Sequence, residues 1–123
     1  RMSAAVKKVE TPEEKRFRIQ LGVVKRLSKE HKCYILEEKK GEQSVIEMKN
    51  TPDADPYKLK KLEECVQESR SMIRDSAHRL TVACGELGQT MEALGKGEED
   101  ALLIEAKELM HACKEQVSEG EAA

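Results

Sequence analysis

The stretch VQESRSMIRDSAHRL, Val66 to Leu80, decides how the whole chain is read. It contains neither proline nor glycine, and Val66, Ile73 and Leu80 recur at helical spacing among dense polar residues. Such spacing places these three side chains on one face of an α-helix. The stripe extends in both directions through Leu59, Leu62, Val66, Ser69, Ile73, Ala77 or Ser76, Leu80, Cys84, Leu87, Met91 and Leu94. Asp55-Pro56 supplies a cap followed by a proline at the start, and Gly95-Lys96-Gly97 supplies the stop, so a helix of about residues 55–94 is expected. Gly85 and Gly88 are small residues, read either as points of close approach by another helix or as mild weak points in the helix.

The flanking sequence repeats the pattern. Thr11-Pro12-Glu13-Glu14 reads as an N-cap, a proline in the first helical position and a glutamate three residues after the cap. Phe17, Leu21, Val24, Leu27, His31, Tyr34 or Ile35, Val45 and Met48 then mark a first helix of about 12–49, with a loop carrying Pro52 and Pro56 after it. Glu98-Glu99-Asp100 places negative charge at the start of a third helix, about 98–118, with Leu102, Ala106, Leu109, Cys113 and Val117 inward. Residues 1–11 are expected to be a flexible extension, with Arg1 before Met2 an expression scar, and residues 119–123 a disordered tail.

Composition agrees with helices. Of the 123 residues 37% are charged and 2% aromatic, and the mean hydropathy is -0.68, which suits long amphipathic helices better than a sheet. The expected fold is all-α, an antiparallel up-down-up three-helix bundle with long first and second helices and a shorter third. No apolar run is long enough for a bilayer and no signal-peptide pattern opens the chain, so no membrane partner and a cytoplasmic location are expected.

Unequal helix lengths have a consequence. With the first turn centred at 51–52, position i of the first helix faces about 103 minus i on the second. The third helix then covers about 9–28 and 75–94, leaving 29–48 against 55–74 as a two-helix hairpin. Its apolar residues, among them Ile35, Leu36, Ile46, Tyr57 and Met72, exceed what one facing helix covers. Surplus apolar surface of this kind marks a partner site, or the contact of a homodimer.

Net charge is -2, but residues 1–32 carry +6 and residues 86–123 carry -7. Attraction between helices of one bundle explains that asymmetry, and a basic surface for an acidic partner is the other reading. Nucleic-acid binding finds weak support, since only Phe17, Tyr34 and Tyr57 offer aromatic faces for stacking. Cys33, Cys65, Cys84 and Cys113 form no C-x-x-C pair, and His31, His78 and His111 lack metal-ligand spacing, so four free structural thiols and no metal are expected. No phosphate-binding glycine loop, nucleophile elbow or H-E-x-x-H motif is present, and the chain is not read as an enzyme.

Two blocks carry a family resemblance. The first is Gly22-Val23-Val24-Lys25-Arg26-Leu27 with Lys29-Glu30 and Tyr34. The second is Gln67-Glu68-Ser69-Arg70 with Met72-Ile73, Asp75 and Arg79-Leu80. In this order and separation they resemble the tubulin folding cofactor A family from about Gly22 to Leu80. Family members usually place a proline after the Met-Ile pair, where this chain has Arg74, so a kink built on that proline is not expected here.

The resemblance implies a non-enzymatic, cofactor-free chaperone that holds β-tubulin after chaperonin release, on the way to the αβ heterodimer. It also implies a cytoskeleton-associated setting and other tubulin folding cofactors as further partners. On the matched blocks it makes Lys25, Arg26, Lys29, Tyr34, Arg70, Met72 and Arg79 the candidate partner-binding residues, with Glu68 and Asp75 read as structural. The competing reading for the charged ones is salt bridging between helices. A helical scaffold or coiled-coil dimer without tubulin binding, and a basic nucleic-acid-binding hairpin, are the alternatives.

Overall fold

The first helix is fastened at its start by a reciprocal cap. Thr11 Oγ1 accepts from the Glu14 amide at 3.1 Å, and the Thr11 amide donates to Glu14 Oε1 at 3.0 Å. Pro12 follows, where its missing N–H costs nothing. From there α1 runs over Pro12–Lys49, α2 over Pro56–Leu94 and α3 over Ala101–Ala122 in a computed structural model that describes residues 9–95 and 100–122. Among the described residues there is no strand, and the three helices form the expected up-down-up bundle. The flexible extension lies mostly outside the described residues, as do Glu98 and Glu99. Glu10, just before α1, bonds the Arg18 guanidinium at 3.0 Å. α3 continues to Ala122, past the end expected near 118.

The first reversal sets the register between α1 and α2. Thr51 still hangs on α1, its amide donating to Met48 O at 3.1 Å and its Oγ1 to Glu47 O at 2.8 Å. The chain turns at Asp53, which adopts the left-handed conformation at φ 59, one an aspartate tolerates. Asp55 then caps α2 by accepting from the Tyr57 amide at 2.9 Å. Because the reversal falls at Asp53 and not at 51–52, facing residues shift by about one turn from the expected register. Gly41 lies against Val66, and Arg70 meets Glu38 and Glu42.

The second reversal starts with Gly95 in the left-handed region at φ 57, the ordinary helix stop. Asp100 starts α3, its Oδ1 accepting from the Leu102 amide at 2.9 Å. α2 passes through Arg74 as one continuous helix.

The core occupies one half of the molecule. Phe17, Leu21, Val24 and Leu27 of α1 meet Leu80, Ala83 and Leu87 of α2 and Leu103, Ala106 and Cys113 of α3. Leu103 replaces the expected Leu102, which is 53% exposed. Starting α3 from the Asp100 cap puts Leu103, Ala106, Met110 and Cys113 in phase on the inward face. Of the two readings of Gly85 and Gly88, close approach is not what the packing shows, and it occurs at Gly41, where a Cβ would stand 2.8 Å from Val66 Cγ2. Gly85 has nothing within 4 Å, and Gly88 meets only the flexible end of Met110.

Candidate functional site

Beyond the end of α3 the bundle becomes a two-helix hairpin. Between His31 and Ser76, Val66 is the only buried residue among those described. One facing helix cannot enclose the apolar positions here, so Leu36 at 55%, Ile46 at 53% and Tyr57 at 65% remain exposed. Ile73, expected in the core, is half-buried, because on its groove α3 offers only Val117 and the side-chain-less Gly120.

A buried polar cluster marks where α3 leaves. His31 is only 1% exposed. Gln116 of α3 donates to its Nδ1 at 2.6 Å and to Ser28 O at 3.2 Å, while Ser28 Oγ donates to Gln116 Oε1 at 3.2 Å. With Nδ1 accepting, the proton of the neutral ring sits on Nε2. That N–H has no hydrogen-bond partner, and its edge of the ring would lie 4.0 Å from a Cβ placed on Gly120. Burial lowers the His31 pKa from its usual value, favouring this neutral form.

A groove of about 990 Å³ opens from this point along the α3 side of the hairpin. Arg70 clamps its walls together, Nε to Glu38 at 2.9 Å and a terminal nitrogen to Glu42 at 2.9 Å. Farther along, a second groove of about 290 Å³ between Ile46 and Val66 continues toward the turn.

The candidate residues do not gather on one face. Lys25 pairs with Glu105 of α3 at 2.7 Å, and Arg70 is engaged in the α1–α2 clamp, so both carry the interhelical bridges that were the competing reading. Arg26 and Lys29 are exposed on the outer surface of α1. Tyr34 lies five turns beyond Arg16, and Met72 five turns before Thr90. Arg16 and Thr90 line the α1–α2 groove away from α3, so Tyr34 and Met72 share that far side. Arg79, two turns before Glu86 of the same groove, joins them, paired within α2 to Asp75 at 3.2 Å.

All four cysteines are free, Cys33 and Cys65 exposed. Cys84 and buried Cys113 are within hydrogen-bond reach across α2 and α3. Burial first, and Cys113 second, push the Cys84 thiol up to about 11. Among the described residues no cluster of three or more His, Cys, Asp or Glu is placed to hold a metal ion. Among the described residues no helix is long and apolar enough to cross a membrane.

The family model described as "Tubulin binding cofactor A" matches residues 12–110. Tubulin-specific chaperone A of Oryctolagus cuniculus is 38% identical over 103 residues, spanning 84% of this chain and 94% of its own. The Homo sapiens chaperone is 40% identical over 81 residues, 66% of this chain and 74% of its own. Among solved structures, tubulin folding cofactor A from Arabidopsis thaliana superposes with a TM-score of 0.74 at 29% identity, over 82% of this chain and 94% of that one. The human tubulin chaperone cofactor A gives 0.69 at 35% identity, over 84% and 99%. The family match runs from the first residue of α1 into α3 and therefore includes the uncovered hairpin and most of the three-helix core. The chain belongs to the tubulin binding cofactor A family.

Proposed function

We propose that this protein is a tubulin-folding chaperone which captures β-tubulin after chaperonin release, in the pathway that assembles the αβ heterodimer. The observation that carries this reading is the hairpin between His31 and Ser76, which folds with one buried residue and leaves Leu36, Ile46 and Tyr57 open. A holding protein needs such a surface, since apolar contact with an incompletely folded client is non-directional and requires no catalytic group. Membership of the tubulin binding cofactor A family supports tubulin as that client. Action in the cytoplasm beside the cytoskeleton, with exchange of tubulin to other folding cofactors, follows from the same reading.

Co-purification from cell extract, with α-tubulin as the control, tests it. Leu36→Glu and Ile46→Glu on the hairpin should abolish capture of β-tubulin. Val82→Glu and Ile104→Glu, equally open sites at 47% and 44% exposure on the three-helix half, should leave it intact. Equal capture by all four variants would refute the assignment. Size-exclusion chromatography distinguishes a homodimer using the same surface, because the hairpin variants would then change elution volume without any tubulin.

A further inference from the structure

We propose that the groove beside the last turns of α3 receives an acidic amphipathic helix of the client, laid along the α1–α2 hairpin. This rests on the chaperone reading and specifies the chemistry of its client. Three independent features converge on the groove.

The first is shape and polarity. Ile73 and Ala77, one turn apart on α2, and Val117 of α3 give the groove an apolar strip in its lining. A helix presenting apolar residues at i, i+3 or i+4 and i+7 matches such a strip.

The second is charge. Glu38 and Glu42 are both taken by Arg70. Lys39 on the α1 wall and Arg74 on the α2 wall have no carboxylate at ion-pair distance among the described residues; Arg74 donates only to Ser71 Oγ at 3.3 Å. His78 stands on the same rim. The uncommitted groups are therefore donors and cations, which acidic side chains on the flanks of an incoming helix would meet.

The third is the His31 N–H, buried, unpartnered and turned toward Gly120 where the groove begins. An unmade hydrogen bond by a buried donor is costly, and a carboxylate or carbonyl arriving from the groove removes that cost.

The test uses the full chain and two synthetic peptides, read by fluorescence anisotropy. One is a stapled 18-residue helix with Leu at i, i+4 and i+7 and Glu on its flanks; the other has Lys in place of every Glu. The acidic peptide should bind the parent and the basic one should not. Lys39→Glu combined with Arg74→Glu should weaken the acidic peptide by about tenfold or more at low salt, the difference narrowing as salt is raised. His31→Phe should weaken it several-fold, and Glu68→Lys on the far side should have no effect.

A photo-crosslinker at Thr81, on the groove, should label the acidic peptide and, in β-tubulin complexes, an acidic helical segment of the client. Failure of the acidic peptide to bind, equal binding by the double variant, or crosslinking to a second copy of the chain would each overturn the proposal. Peptide binding without capture of β-tubulin would leave the groove assignment standing and remove the client assigned to it. Capture that is untouched by both peptide and groove variants would do the reverse.

Discussion

Replacing Gly41 with alanine should not stabilise this protein, although it sits inside a long helix where alanine is the better helix former. Gly→Ala in a helix interior is worth about 0.8–1.0 kcal/mol in propensity. At Gly41 the new Cβ would lie 2.8 Å from Val66 Cγ2, well inside the separation of roughly 3.5–4.0 Å at which carbon atoms attract. Val66 is β-branched and 5% exposed, so it has no alternative rotamer into open space. Overpacking of this kind costs about 1–3 kcal/mol. The net effect is then a loss of about 0–2 kcal/mol. Gly22, with nothing within 4 Å, should instead gain the full propensity term of about 1 kcal/mol. The two variants should therefore differ by about 1–3 kcal/mol, or roughly 4–12 °C in Tm for a chain of this size. Urea unfolding followed by far-ultraviolet circular dichroism measures both. In a Val66→Ala background, Gly41→Ala should become stabilising like Gly22→Ala, a coupling of about 1 kcal/mol or more. If Gly41→Ala matches Gly22→Ala in the parent background, the helices do not approach closely at this point and the inferred register is wrong.

Leu80, fully buried, should lose about 3–5 kcal/mol on replacement by alanine, whereas half-buried Ile73 should lose about 1–2 kcal/mol; chemical denaturation of both gives the ratio. At pH 8 a thiol reagent should modify exposed Cys33 and Cys65 quickly and Cys84 and Cys113 only on unfolding, since Cys84 titrates at about 11; four equal rates would contradict the packing of α3. Burial depresses the folded-state pKa of His31, so the unfolded chain binds the proton more readily. Its contribution to stability is therefore present above its unfolded value near 6.5 and should be lost as the pH falls below it. His31→Phe should flatten that part of a stability–pH curve.

Local signals were the legible ones. The Thr11 cap, the Asp55-Pro56 start and the Gly95 stop each act over one turn, and each appears in the sequence as residues of the required kind. The inward face of α2 could be read because Val66, Leu80 and Leu87 repeat over about six turns. What escaped depends on where the first reversal falls, and no propensity rule specifies Asp53 as the left-handed residue. With that reversal placed a turn too early, Glu38 and Glu42 do not fall opposite Arg70, and the clamp is not visible in the pattern. Leu102 was favoured over Leu103 because both are leucines, and only the cap on Asp100 separates their phases. The Ser28–Gln116–His31 cluster left a faint trace, as polar residues at inward positions of two helices, which periodicity counts as noise. The candidate contact residues were taken from two sequence blocks, and adjacency along a helix spreads residues around it. Lys25, Arg26 and Lys29 fall within about 100° of one another on α1, but Arg70 lies about half a turn away from Met72 and Arg79 on α2, so the second block could not present one surface.

The unequal lengths of the helices also divide the molecule mechanically. At about 1.5 Å per residue α1 and α2 are each about 57–58 Å long and α3 about 33 Å. Bending resistance and amide-exchange protection should both fall past His31, where each helix loses one of its two neighbours. Amides near the proline turn should exchange through local opening, while those around Leu80 and Leu87 should exchange only when the whole chain unfolds. A protein built this way can flex its binding arm over a client without loosening the anchor that keeps it folded.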